Sequence, residues 1–454
     1  MANIKLAGGC NFLGYYMFRG GSNPKGETIP YMNECQCPKI SYDYQAAIGE
    51  YGQLRTSYYR LKNLHLFMKN YADQFADLKT VLPEESQDIK PEDIDTLRYA
   101  VRTDGTRGFL FINNFQDHAE CKNKLHESVT LKLADETIVF SDLSMAAGEN
   151  AILPFNLMVE KYCLKHANVQ PLSVIRENDE VVYFFFVPEG MKPEYVWAAD
   201  GITEITGIGG TYEAKEKQCT VTPDEGCMSC YTLEGAYGTV KIVTLTREQS
   251  LQFFEYEKDG RKSVMLCSSP VVFDGEKLLL ENPQDGRKQT ELRIWPKQNL
   301  SFDSGEIQAE RIEDGIFSGL KIIWPEHALS VKELMAEVCG TGRYTVQIPE
   351  WKEADKDAVL QIDYRGDIGH LFQNGELLSD NFSNDAVWEI GLGEVWNPEA
   401  GNELTILITP KKVEASVDVS STMAGRAEQI SQAVAELHAV KLRYVSEISV
   451  KIQE

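Results

Sequence analysis

The sequence predicts a mainly β protein that opens with one strand–loop–helix unit. Between Tyr51 and Asp77, apolar residues fall at Leu54, Tyr58, Leu61, Leu64, Met68 and Tyr71, steps of three and four that give a helix one apolar face. From Leu97 onward the period becomes two, with Phe109, Phe111, Thr130, Leu131, Leu133, Ile138 and Phe140 in short β-prone runs. Those runs are broken at Asp104-Gly105, Ala147-Gly148, Asp259-Gly260, Asp274-Gly275 and Asp285-Gly286, and Asp-Gly between alternating runs signals a hairpin. Strands at this spacing with hardly any helix indicate sandwiches or jelly rolls.

At 454 residues the chain has room for several domains. Its 43% apolar and 25% charged residues suit a soluble globular protein. A net charge of −24 repels phosphate, so neither nucleic acid nor an anionic membrane surface is an expected partner. No stretch reaches the roughly 20 apolar residues of a membrane helix. The apolar run before Cys10 falls short of the about 7–15 residues of a signal-peptide core. Met1 to Phe18 is therefore expected to be a buried strand with its lead-in, and the protein is expected to be cytoplasmic.

Two runs near the start organise the rest. The first is Gly14-Tyr15-Tyr16-Met17-Phe18-Arg19-Gly20-Gly21-Ser22-Asn23-Pro24, and the second is Ser41-Tyr42-Asp43-Tyr44-Gln45-Ala46-Ala47-Ile48-Gly49-Glu50. Between them lies an irregular segment with Pro24, Gly26, Pro30 and Pro38. Side chains alternate in an extended run, so Tyr42 and Tyr44 are expected on one side and Asp43 on the other. Tyrosine offers ring area at little entropic cost and a hydroxyl at its tip. Gly20-Gly21 fits a strand end that turns sharply or lets a ligand near the backbone.

This pair of motifs resembles the end of the catalytic barrel in glycoside hydrolase family 35, the β-galactosidases. Leu97-Arg98-Tyr99-Ala100-Val101-Arg102, Gly108 to Asn114, Gly366-Asp367-Ile368, Asn374-Gly375, Asp380-Asn381-Phe382 and Trp388 to Leu392 agree with it. Between about residues 190 and 340 only compatible strands remain. The resemblance implies the last β/α unit of a (β/α)8 barrel, followed by β-sandwich and galactose-binding-like jelly-roll domains. It implies a β-galactoside or galactose as ligand, with Tyr44 beside the sugar and Tyr42 and Asn23 also binding it. Asp43, Gly20 and Gly21 then brace the loop. Arg19, Gln45 and Ala47 stand where many relatives have His, Asp and Pro, which leaves the shape of the loop open.

The same resemblance points to something missing. A (β/α)8 barrel takes about 250 residues, whereas 40 precede Ser41. The family's two catalytic glutamates lie on earlier strands, so no catalytic residue is expected in this chain. A retaining glycosidase needs two carboxyls about 5–5.5 Å apart. The acids of the loop are Glu34, Asp43 and Glu50, and Glu50 is expected to begin the helix, where an acid suits the positive dipole end. The chain therefore reads as the C-terminal part of a β-galactosidase-like hydrolase, inactive alone, with a separate chain carrying the other barrel strands as its possible partner. The other reading is a non-catalytic carbohydrate-binding or scaffold protein. A lone barrel strand also leaves the apolar face of its helix uncovered.

The expected divisions are the barrel unit at 1–80, an acidic linker at 81–96, a β-rich sandwich region at 97–340, a jelly roll at 341–415 and C-terminal elements at 416–454. The linker carries Glu84, Glu85, Asp88, Glu92, Asp93 and Asp95. Val181 to Val187 is apolar throughout and is expected to be buried on both faces. Trp388 and Trp396 are expected in the core. A helix is expected at Ala424 to Ala435, then a strand pair from Val440 to Ile452 closing a sheet. Cys35 with Cys37, and Cys227 with Cys230, are close pairs, but no histidine clusters beside either. A structural zinc site usually draws four such ligands, so the thiols are read as unpaired, and neither metal nor cofactor is expected.

Overall fold

The computed structural model describes residues 1–24, 26, 39–90, 92–116, 119–177, 179–207, 209–226, 229–303, 307–329, 331–349, 357–384, 386–413 and 430–453. The protein is mainly β, and most of its strands pair antiparallel with near neighbours in sequence. Glu34, Cys35, Cys37, Cys227 and residues 424–429 of the expected helix lie outside the described residues.

The largest core lies between an eight-stranded and a five-stranded sheet. Glu180–Phe186 is the strand that matters most there. It pairs antiparallel with Gln170–Glu177 and parallel with Gly238–Leu245. Because successive side chains alternate, Tyr183 and Phe185 enter this core while Val182, Phe184 and Phe186 enter a second one. A strand with cores on both faces has no use for polar positions, which accounts for the unbroken apolar run.

The hairpin signals divide. Asp259-Gly260 and Asn374-Gly375 have positive φ at both residues and close the hairpins Phe253–Lys258/Arg261–Cys267 and Ile368–Gln373/Glu376–Phe382, as a type I′ turn requires. Asp285-Gly286 instead connects strands of different sheets, since Lys277–Glu281 pairs with Glu447–Gln453 and Gln289–Trp295 with Arg261–Cys267.

The N-terminal unit departs from expectation. Residues 2–7 form a short helix, α1 (Ala2–Ala7), not a strand. Ala, Lys and Leu favour that state, and Leu6 and Ala7 are buried in the main core. Arg102, fully buried, holds the end of α1. Its Nη1 donates to the Leu6 carbonyl at 2.8 Å, and Nε and Nη2 donate to the Leu78 carbonyl at 2.9 and 2.7 Å. Gly21–Ser22 pairs antiparallel with Ser41–Tyr42 over two residues, and among the described residues of this unit the parallel contact is a single bridge from Arg19 to Ile48.

The long helix, α2 (Thr56–Phe75), starts later than its periodicity suggests. Gly52 takes φ +84°, and the Arg55 amide donates to Ala47, so residues 49–55 fold back before the helix begins. Its apolar face is covered. Phe67, Tyr71 and Phe75 are buried against Phe109 and Phe111 of the strand Gly108–Asn113.

Two further sandwiches follow, one around Leu278, Leu292, Ile322 and Val450, the other around Leu360, Ile390, Ile406 and Leu442. Trp388 is buried in the latter, with Trp396 packed at its side. The two C-terminal strands do not pair with each other. Glu436–Val445 joins Asp357–Arg365, and Glu447–Gln453 joins Lys277–Glu281. The described end of the expected helix, 430–435, is not helical: it bends at 431–432, and Val434 bridges Lys411.

Candidate functional site

The second motif forms a strand only at Ser41–Tyr42. Tyr44 and Gln45 then adopt φ of 49° and 55°, so the run turns where an extended strand was expected. Tyr42 and Tyr44 still meet, with ring centroids 4.9 Å apart and planes at 87°, an edge-to-face arrangement that aromatic quadrupoles favour.

Asp43 holds this turn from behind. Its carboxylate accepts the Gln45 amide at 2.8 Å and the Glu50 amide at 2.6 Å. It also pairs with Arg55, Nη1 to Oδ1 at 2.9 Å and Nη2 to Oδ2 at 3.1 Å. Gly20 lies against it, because a Cβ there would sit 2.9 Å from both Asp43 Oδ2 and the Glu50 amide nitrogen. Gly21 has open space where a Cβ would go, and its backbone pairs with Tyr42.

Tyr42 and Tyr44 form part of the wall of a groove of about 1090 Å3 between α1, α2 and the strand Gly108–Asn113. Tyr15 and Tyr16 continue that wall. The Tyr16 and Tyr42 hydroxyls lie 2.8 Å apart, and the Tyr15 hydroxyl is 2.9 Å from His65 Nε2. Phe115 and Phe186 add apolar surface, and Asn113, Gln170, Arg60 and Arg247 supply polar groups. Asn23 is not among the lining residues. Its amide donates to Ile40 at 2.7 Å and its Nδ2 to Lys39 at 3.2 Å, so it fastens the two short strands together.

The loop is mounted on a distant part of the chain. Asp380, fully buried on the strand Glu376–Phe382, accepts the amides of Ile40 at 3.0 Å and Ser41 at 2.9 Å, and that of Lys39. The Tyr51 hydroxyl donates to Ser379 at 3.3 Å, and the Tyr51 ring packs on Gly391. Glu50 is buried beside this mount and accepts the Ser22 hydroxyl. Burial pushes its carboxyl up to about 7, against the hydrogen bonds from Ser22 and Ser41 and with help from the charges of Asp43 and Asp380. It lies before α2 and not at its start, and it is not among the groove residues.

Behind the groove lining, Glu149 is buried between two arginines. Arg247 donates through Nε to Oε2 at 2.8 Å and through Nη2 to Oε1 at 3.2 Å, and Arg60 Nη1 lies 3.6 Å from Oε1. Sequence reasoning does not find this group, since its members are far apart in the chain and belong to no local motif. Among the described residues no aspartate or glutamate lines the groove, and no cluster of histidine, cysteine and acidic residues could hold a metal ion. Nor is any helix among them long and apolar enough to cross a membrane.

No known family profile matches the chain. Among solved structures it aligns with a xanthan lyase from Paenibacillus at 9% identity, over 81% of this chain and 44% of that one, with a TM-score of 0.13. It also aligns with a GH31 α-xylosidase from Xanthomonas citri at 8% identity, over 83% and 35% of the two chains, with a TM-score of 0.11. The chain thus spans less than half the length of either, and at these scores neither likeness carries an argument. What the fold and the groove define is a mainly β protein with a tyrosine-walled cleft.

Proposed function

We propose that the chain is the C-terminal part of a β-galactosidase-like retaining glycoside hydrolase acting on terminal β-galactosides. In this reading residues 1–80 correspond to the last β/α unit of a (β/α)8 barrel, and residues 341–415 to a galactose-binding-like jelly roll that carries the rim loop. One observation supports it above all. The edge-to-face pair Tyr42 and Tyr44 stands on the wall of a large groove, on a loop fixed by Asp43 and Asp380. A galactose ring needs an apolar surface for its C–H face and donors and acceptors for its hydroxyls, and tyrosine provides both. In this reading the acid/base and the nucleophile belong to barrel strands outside residues 1–454, and a chain bearing those strands would supply them. The free thiols, Cys267 and Cys219 among them, fit a reducing cytoplasmic setting.

A second reading is favoured by the lack of any carboxylate among the described lining residues, namely a non-catalytic carbohydrate-binding protein. Titration of galactose into the purified chain, followed by the aromatic signals of Tyr42 and Tyr44, tests what the two share. Both predict perturbed signals, and unperturbed ones overturn them. Hydrolysis of a chromogenic galactoside after mixing with a chain carrying the missing strands selects the first, and binding without turnover in that mixture selects the second.

A further inference from the structure

The charge lining the groove is opposite in sign to that of the molecule. The chain carries 69 acidic and 45 basic residues, yet the groove presents Lys5, Arg60 and Arg247 and, among the described lining residues, no carboxylate. Glu149 behind the wall does not balance them. Arg247 takes both of its oxygens, and the Asn150 amide takes Oε1 as well at 2.9 Å. Arg60 is left with a contact at 3.6 Å to that carboxylate and one hydrogen bond, from Nη1 to the Gly148 carbonyl at 3.2 Å. Two guanidiniums therefore share one carboxylate, and the remaining donors of Arg60 have no partner among the described residues. Lys5 has no acidic partner among them either. Burial lowers the Arg247 pKa, with repulsion from Arg60 adding to that and the charges of Glu149 and Glu189 opposing it.

We propose that this groove takes a saccharide bearing an anionic substituent, a carboxylate or a sulfate ester, with Arg60 and Lys5 meeting the anion and the tyrosines meeting the ring faces. A planar guanidinium offers paired N–H donors that match either group. The tyrosine wall accounts for the sugar, and the cationic floor accounts for the charge. The volume, about 1090 Å3, slightly exceeds the roughly 300–1,000 Å3 of small-molecule pockets and leaves room for more than one ring. This inference rests on the groove being a saccharide site.

The test is a titration of the full chain with galactose, galacturonic acid and galactose 6-sulfate, followed by calorimetry and aromatic NMR signals at low and high salt. One charge-assisted contact corresponds to about tenfold in affinity, so at least one anionic sugar is expected to bind about tenfold more tightly than galactose. That margin is expected to shrink as added salt shortens the screening length. Arg60→Gln is expected to bring the anionic sugars to within about twofold of galactose, and Arg60→Lys to retain part of the margin. Preference for the uronic acid alone identifies the carboxylate, and preference for the sulfate alone identifies the ester. Equal affinities for all three sugars, or a margin unchanged in Arg60→Gln, overturn the inference while leaving a galactose site standing. Binding of an anionic sugar without galactose binding overturns the galactoside reading and leaves this one standing. If none of the three binds, both fall.

Discussion

Glu50 is the residue whose chemistry departs furthest from what its position in the sequence suggests. Its carboxyl has a folded pKa of about 7 against an ordinary value of 4.5, mainly because it is buried. A carboxyl with a raised pKa binds protons more tightly in the folded state, so its favourable contribution is complete below pH 4.5. That contribution is lost as pH rises through about 7. Glu50→Gln keeps acceptors for Ser22 and Ser41 without the charge. We expect the variant to match the parent near pH 4 and to exceed it by about 1–3 kcal/mol at pH 8, measured by denaturant unfolding at both values. A parent advantage at pH 8 would contradict the assignment. The burial of Glu50 is illegible in sequence because it depends on Asp380, which lies hundreds of positions away. The brace at Asp43 is legible because Gln45, Glu50 and Arg55, which it holds, are all close by in the chain.

At the scale of elements, Ser41–Tyr42 is too short to hold itself in place, and Asp380 does that for it. Asp380→Ala leaves the amides of Lys39, Ile40 and Ser41 without their buried acceptor. Loss of such an acceptor costs on the order of 3 kcal/mol, to be measured by thermal unfolding. The tyrosine wall should lose its place with it, so the galactose titration is expected to weaken at least tenfold. An unchanged affinity would separate the wall from its mount. The helix α2 was legible in part. Its period of three and four gives the correct face, but its first residue follows from Gly52 and from the fold-back onto Ala47. The partner of that face is also not what one barrel unit implies, since Phe67 and Phe75 pack on the sheet that follows. The helix α1 has no comparable sequence signal, because two of the groups holding it, Arg102 and the core around Leu6, come from elsewhere in the chain.

Across the whole molecule, turn chemistry and the period of two make the β character legible, and Val181 to Val187 discloses its double burial directly. Sheet membership is not legible, because it depends on which strands meet after long excursions. The C-terminal strands illustrate this. Glu436–Val445 and Glu447–Gln453 are neighbours in sequence but complete different sheets. Asn282, nearly inaccessible, secures the crossing point between them. Its Nδ2 donates to the carbonyls of Ala328 at 2.5 Å and Tyr444 at 3.0 Å, and its Oδ1 accepts the Ser446 amide at 3.0 Å. Asn282→Ala should lower stability by about 2–4 kcal/mol, seen as a lower denaturant midpoint at an unchanged slope. A variant as stable as the parent would remove this role.

That crossing has a consequence for biosynthesis. Residues 436–453 leave the ribosome after every other strand of the two sheets they finish, so neither sheet can reach its final pairing while that stretch is still in the exit tunnel. During that interval the strands Asp357–Arg365 and Lys277–Glu281 each present an open edge, the kind of surface that recruits wrong partners. Translation speed across residues 436–453 therefore becomes a determinant of how much of this polypeptide escapes aggregation.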